Sequence, residues 1–497
     1  MARRIEQVFG PTPYSSFDNH YIGGVWRTGR RGTTTKDIDP YTGKTLVEIP
    51  LADQRDVDEA YRSAAKAQPA WSATLPRERA EVLRSVASIL DARHAEIVSW
   101  LIHEGGSARV KAEFEWELVR GITLESSSFP HRVTGRIIPI DESHKESRVY
   151  RQPIGVVGVI SPWNFPMYLS HRSVAPALAL GNTVVLKPSE DTPITGGLLL
   201  AKIFEEAGLP RGVFSVVIGA SRDIGDAFSS HPIPRSISFT GSTEIGRHVA
   251  KLAADSLIIK KVKLELGGNS PMVVLDDADI DHAVDAAVVG RFMHQGQICM
   301  STNRIIVEED ISDEFEDKFT DRVSALKYGN PDDEDTVIGP VINSKQLERI
   351  KGFIQTAHDD GAREVLAGEP QELVVPPHIF ADVTNDMKIA KTELFSPIAQ
   401  IMTVKSDTEA LRVANDTEYG LSSAVYSGNR GRALQFALGM EAGMTHINDS
   451  TVEDRPNAPF GGEKNSGIGR FGGEWVIQEF TTDHWVTVQH APRKYPF

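Results

Sequence analysis

The sequence is short of cysteine, of positive charge and of long apolar runs, and each shortage excludes something. A single cysteine, Cys299, stands in 497 residues. No intrachain disulfide can form, a multi-thiolate zinc site is ruled out, and a lone thiol suits a reducing compartment. Lys and Arg number 53 against 68 Asp and Glu, a net charge of −15. Nucleic acid and anionic membrane surfaces call for a basic face, so neither is expected as a main partner. No stretch reaches the roughly 18 uninterrupted apolar residues of a membrane span. The opening MARRIEQVFG has two arginines with no apolar core behind them, unlike a secretory signal. The closing APRKYPF matches no lipidation or retention signal. The expectation is a cytoplasmic protein. H-E-x-x-H, the P-loop pattern and the G-x-S-x-G elbow are all missing, and no metal is expected.

What is present is ordinary for a folded chain: 40% hydrophobic and 24% charged residues. At about 150 residues per domain the length predicts two to four domains. Residues 1–55 read as short strands and turns. From 57 to about 103 the pattern is helical, with Leu83, Val86, Ala87 and Leu90 on one face, and Gly105-Gly106 stops it. A further helix is predicted over about 110–126. Residues 133–140 read as a strand leading through DESHKE to Arg148-Val149-Tyr150. This ribbon is either an oligomer contact or an edge hairpin on the parent sheet. From 154 to 265 short apolar strands alternate with helices, and the alternation resumes from 271 to about 470. Alternation of this kind predicts α/β structure with parallel sheets covered on both faces.

Four places carry candidate chemistry. Cys299 follows Gly and two Gln and precedes Ser-Thr-Asn, which suggests a polar turn; alone it reads equally as a small buried hydrophobe. Glu265 ends an apolar strand just before Gly267-Gly268, where parallel sheets gather active sites, or it is a solvated strand end. In PWNFP (162–166) two prolines fix the backbone around Asn164, as a turn residue or as a donor to an oxyanion. The strand SISFTG runs into Gly241-Ser242 and a helix with Ile245, Val249 and Leu252 on one face. Small residues at a helix N-terminus suit an anion. The G-x-G-x-x-G of residues 467–472 lacks a preceding strand and is set aside as a dinucleotide fingerprint.

Seven motifs in order, PWNFP (162–166), KPSE (187–190), FTGSTEIG (239–246), ELGGNSP (265–271), GQIC (296–299), ELFSP (393–397) and PFGG (459–462), make the chain resemble the NAD(P)-dependent aldehyde dehydrogenase superfamily along essentially its whole length. The resemblance implies a Rossmann-like cofactor domain (1–130 and 153–264), an α/β catalytic domain (265–470) and a β-ribbon oligomerisation element (131–152 and 480–497) in a homodimer or homotetramer. Its nucleophile matches Cys299, its general base Glu265, and its oxyanion donors the Asn164 amide and the Cys299 N–H. The implied reaction is oxidation of an aldehyde to the acid through a thiohemiacetal and a thioester. Cofactor positions match Trp163, Lys187, Ser189, Glu190, Gly225, Gly241, Ser242, Glu393 and Phe395. Glu190 favours NAD over NADP, because a carboxylate repels a 2′-phosphate.

Many relatives have Asn at the His294 position. HQGQICMSTNR, INDSTVEDRPNAPFGG and GIGRFGG resemble the branch acting on benzaldehyde-, vanillin- or salicylaldehyde-like substrates. That branch implies a pocket lined by Phe114, Trp116, Tyr168, Leu169, Arg172, Ile298, Met300, Val452 and Phe460. The aromatic residues among them read as core packing or as lining, and Arg172 as steering a substituted ring or pairing with a structural carboxylate. The alternatives are an aliphatic or broad-specificity aldehyde dehydrogenase and a thiol esterase or acyltransferase using Cys299 with His294 as base.

Overall fold

A computed structural model describes residues 11–497; the opening segment MARRIEQVFG, read above for a signal, lies outside the described residues. Two large sheets organise the chain. The first has eight strands in the order Val25–Arg27, His20–Ile22, Phe214–Val216, Thr183–Lys187, Val156–Ile160, Ser236–Thr240, Lys261–Glu265 and Gly467–Ile468. The five strands from Phe214–Val216 to Lys261–Glu265 are mutually parallel. Three of them, Thr183–Lys187, Phe214–Val216 and Ser236–Thr240, are buried at every position. That explains their unbroken apolar or small-residue runs, since helices cover both faces.

Strand order in this sheet reverses between Val156–Ile160 and Ser236–Thr240. The carboxyl ends at such a reversal diverge and leave a crevice. The segments leaving those ends are Ser161-Pro162-Trp163-Asn164 and Gly241-Ser242, with Glu265 one strand away.

The second sheet has seven strands: Arg363–Leu366, His378–Ala381, Ile398–Val404, Arg304–Glu308, Pro271–Val274, Ser422–Tyr426 and Met444–Ile447, all parallel except the first. A third unit pairs Lys145–Pro153 with Thr481–Gln489 over nine residues each, and Arg136–Ile137 adds a short edge.

Several local expectations are corrected. The helical stretch after residue 57 resolves into three helices, Gln54–Ala73, Pro76–Ala92 and His94–Gly105; Pro76 opens the second, and Gly106 ends the third at a φ of 62°. The ribbon strand expected over 133–140 shrinks to Arg136–Ile137, with Pro139 unable to donate to a ladder. The helix Thr243–Ala254 buries Gly246, Val249 and Ala253, while Ile245 is 49% exposed. Gly246 takes the inner face because a Cβ there would strike Leu266 at 2.3 Å. Gly467 and Ile468 form an antiparallel edge against Leu264 and Glu265.

Candidate active site

Cys299 follows the helix Ile280–Phe292 on a loop that the chain enters through three left-handed residues: His294 (φ 50°), Gln295 (φ 57°) and Gly296 (φ 70°). Such backbone is costly for residues with a Cβ and persists only where its surroundings hold it. Here they do. The buried Arg291 guanidinium donates to the carbonyls of Gly296 and Thr302, each at 3.0 Å, bracketing the cysteine on both sides. Gln295 Nε2 donates to Pro340 O at 2.7 Å and Gly106 O at 3.2 Å. Gln297 Oε1 accepts from Ile342 N–H at 3.2 Å. Nothing in the sequence pattern pointed to Arg291, because a buried cation serving two backbone carbonyls and the Asn303 amide oxygen leaves no spacing to read.

Two chambers meet at the half-buried sulfur. The first, about 610 Å³ including its open mouth, is lined by Trp163, Gly241, Ser242, Glu265, Gly267, Arg349, Glu393 and Phe395. The second, about 380 Å³ with its open mouth likewise included, is lined by Phe114, Leu118, Phe165, Tyr168, Arg172, Ile298, Met300, Val452, Asp454 and Phe460. Asn164, Leu169 and Cys299 line both. Asn164 Nδ2 donates one hydrogen to Gln297 O at 2.9 Å, and an amide carries a second.

In the first chamber Trp163 and Phe395 meet edge to face at 5.6 Å, Phe395 itself at a φ of 51°. Glu393 Oε1 accepts from Gly268 N–H at 2.9 Å. Ser242 is the N-cap residue of its helix, and its side chain makes no cap bond. Lys187, Ser189, Glu190 and Gly225 do not line this chamber. They gather at the next strand end, where Lys187 Nζ lies 3.0 Å from Ser221 Oγ and Glu190 Oε1 accepts from Ser221 N–H at 2.8 Å. Ser189 Oγ accepts from Asp191 N–H at 3.3 Å. A Cβ on Gly225, one turn along the helix Ser221–Ser230, would meet nothing within 4 Å.

Burial governs the ionisation of the reactive groups. It pushes the Glu265 carboxyl up to about 8, with Asp454 adding to the rise and Arg172, Arg470 and Lys263 opposing it. Among the described residues neither Glu265 oxygen has a hydrogen-bond partner. Burial, with the carboxylates of Glu265 and Glu393 behind it, pushes the Cys299 thiol up to about 12 against Arg172 and a Met300 N–H. Glu393 rises to about 7, mainly by burial. A desolvated charge is the unfavourable form in each case.

The second chamber contains a polar cluster whose carboxylate, Asp454, the sequence did not identify, although pairing of Arg172 with a structural carboxylate was one of its two readings. Tyr168 donates to Asp454 Oδ2 at 2.8 Å, and Arg172 lies 3.5 Å from the same oxygen. The Arg172 guanidinium also stacks on Phe460 at 4.0 Å and Phe471 at 4.6 Å. Arg172 thus has a carboxylate partner, yet its Nε is buried with no partner among the described residues. Asp454 stands in an unpatterned VEDRP loop, with no periodic signal to mark it.

One expected lining residue and one alternative lose their support. Trp116 is outside the chamber: two residues along a helix is about 200° of turn, so it faces away from Phe114 and donates to Leu90 O at 3.1 Å. The inward partner of Phe114 is Leu118, one turn on. His294 lines neither chamber, which removes the support for it as a base to Cys299. Its ring is buried edge-on to Phe165 at 5.8 Å, and burial holds it neutral.

The model of the "Aldehyde dehydrogenase family" matches residues 26–486. The chain is 51% identical to a vanillin dehydrogenase of Corynebacterium glutamicum, over 95% of this chain and 98% of that protein. The crystal structure of an NAD-dependent benzaldehyde dehydrogenase from Corynebacterium glutamicum aligns with a TM-score of 0.89 at 48% identity, covering 97% of this chain and 98% of that one. A salicylaldehyde dehydrogenase from Pseudomonas putida G7, solved with salicylaldehyde, aligns with a TM-score of 0.93 at 39% identity, over 96% and 99% of the two chains. Matches of this extent join the geometry of the cysteine loop to one conclusion: the chain belongs to the aldehyde dehydrogenase family.

Proposed function

We propose that this protein oxidises an aromatic aldehyde to its carboxylic acid with NAD, through a thioester on Cys299. The observation that carries the reading is the place of the sulfur, at the junction of a polar chamber and an aromatic one. A flat ring in the second chamber would lie among Phe114, Tyr168, Leu169, Ile298, Met300 and Phe460, and bury most of its area there. Its aldehyde carbon then faces the sulfur. Attack by sulfur, with the thiol proton passing to water at the open mouth of the first chamber, gives the anion of a thiohemiacetal. The developing oxyanion meets the free Asn164 Nδ2 hydrogen and the Cys299 N–H; one such donor is worth about 3 kcal/mol in the transition state. Glu265 then takes a proton from the water that hydrolyses the thioester.

The residues present suit NAD. Ser242 has an unused hydroxyl at a helix N-terminus, Gly225 leaves open space over its helix, and Trp163 and Phe395 form an aromatic corner beside Glu393. Lys187, Ser189, Glu190 and Gly225 would hold the adenosine side, with Gly241 and Ser242 at the pyrophosphate and Trp163, Glu393 and Phe395 at the nicotinamide side. NAD, when bound, supplies the hydride acceptor. The reading is tested with a panel of aromatic and aliphatic aldehydes, each with NAD and NADP. Benzaldehyde-like substrates with NAD should give the highest kcat/KM. NADP should be poorer by about tenfold, since Glu190 is part-exposed and its repulsion of a 2′-phosphate is screened. A preference for aliphatic aldehydes, or for NADP, would refute the corresponding half.

The ribbon presents Ile137 at 77% exposure on its short edge strand and Trp485 at 61% on the opposite edge strand, Thr481–Gln489. Exposed apolar surface of this kind fits a second copy. Trp485→Lys should lower the mass measured by sedimentation, and an unchanged mass would remove the ribbon from the contact.

A further inference from the structure

The helix Pro166–Ala179 begins without a cap of its own. Phe165 occupies the N-cap position and offers no side-chain acceptor. Pro166 has no N–H, and the next two N–H groups face protein rather than water, since Met167 and Tyr168 are buried. Unpaired donors there would be left desolvated at a cost to the fold.

A carboxylate from another helix meets them. Glu115 Oε1, from Arg109–Ser128, accepts from Met167 N–H at 2.9 Å and Tyr168 N–H at 3.1 Å. Its other oxygen pairs with Lys111 Nζ at 2.5 Å, and Lys111 also donates to Ser107 Oγ at 3.0 Å. Glu115, Lys111 and Ser107 are all at 0% exposure. The ammonium lies 4.2 Å from the centroid of Phe165. A buried ion pair is a poor source of stability compared with apolar packing of the same volume. What this pair supplies, and packing would not, is a fixed anion at a helix N-terminus.

The turn it fixes is the one that carries Asn164. From the front, Asn164 is tied to the cysteine loop through Gln297 O. From behind, its backbone is set by residues 165–168, which Glu115 and Lys111 grip. We infer that Glu115, charge-balanced by Lys111, is a positioning residue for the reaction: it sets the Asn164 amide where the oxyanion forms. The inference rests on the oxyanion role proposed above for Asn164.

The test is a double-mutant cycle on the full-length enzyme with benzaldehyde and NAD, combining Glu115→Ala with Asn164→Ala. Alone, Asn164→Ala should lower kcat about 10²-fold or more; a wild-type kcat would sink the role of Asn164 itself, separately from that of Glu115. Glu115→Ala should lower kcat about tenfold or more with KM within about threefold, yet less than about twofold in the Asn164→Ala background, because the group it positions is gone. Alkylation of Cys299 by iodoacetamide should keep its wild-type rate in Glu115→Ala. Equal losses in both backgrounds, or slowed alkylation, would reduce Glu115 to scaffolding. Should Glu115→Ala not fold, Glu115→Gln keeps an acceptor for both N–H groups but strands Lys111, and Lys111→Met/Glu115→Gln removes the stranded charge. The single variant should then lose kcat in the Asn164 background only, and the double variant should recover it; failure of either result overturns the inference.

Discussion

Cys299→Ser should abolish formation of NADH from benzaldehyde, with kcat down by about 10⁴-fold or more, the scale seen when a nucleophile is removed from a working constellation. The substitution changes one atom in a loop whose shape does not depend on it. Arg291 brackets the loop through Gly296 and Thr302, and Gln295 ties it to Pro340 and Gly106. Circular dichroism and thermal unfolding should therefore stay close to wild type while activity vanishes. The chemical reason lies in the sulfur. Burial and two neighbouring carboxylates push the Cys299 thiol up to about 12, so even the thiol has to be deprotonated as it reacts. A serine hydroxyl is a far weaker acid and nucleophile in the same place. Residual turnover above about one per cent of wild type would mean that another group carries the reaction.

The parts of this fold that were legible in the sequence are those with a period or a punctuation mark. Strands such as Val156–Ile160 and Ser236–Thr240 announce themselves as apolar or small-residue runs because helices cover both their faces. Gly106 ends its helix at positive φ where two glycines predict a stop. At the site, Cys299, Glu265 and Asn164 were identifiable from ordered motifs, and the structure brings all three to one chamber. The rest depends on contacts between distant segments. Glu115 meets Met167 across 52 residues and Tyr168 meets Asp454 across 286, and neither pairing has a local signature. Trp116 falls outside the pocket because the aromatic-rich stretch that holds it has a helical phase, which turns it away from Phe114. Ile245 was placed on the buried face because hydrophobicity outranked size, whereas Gly246 packs there for want of a side chain.

Glu265→Gln is expected to separate the two halves of the reaction. The first turnover should still release about one equivalent of NADH, while steady-state turnover falls by about 10²- to 10⁴-fold, the usual contribution of a general base. Glutamine keeps the shape of the side chain but cannot accept a proton from water, so the acyl group stays on Cys299. The pH dependence follows from the same burial. A carboxyl pushed up to about 8 is mostly protonated at neutral pH, and its carboxylate grows as pH rises through that value. When hydrolysis limits the rate, wild-type turnover should climb from about pH 7, pass its midpoint near pH 8 and level above about pH 9, with activity lost on the acid side. The raised value has a compensation, because the carboxylate that does form is a stronger base toward water than an ordinary glutamate. Arg172 holds the value down from one side and Asp454 drives it up from the other, so the midpoint reports on the polar cluster of the aromatic chamber as well as on Glu265. In Glu265→Gln the climb should flatten. Loss of the burst itself, or an unchanged pH profile in the variant, would take the role of base away from Glu265.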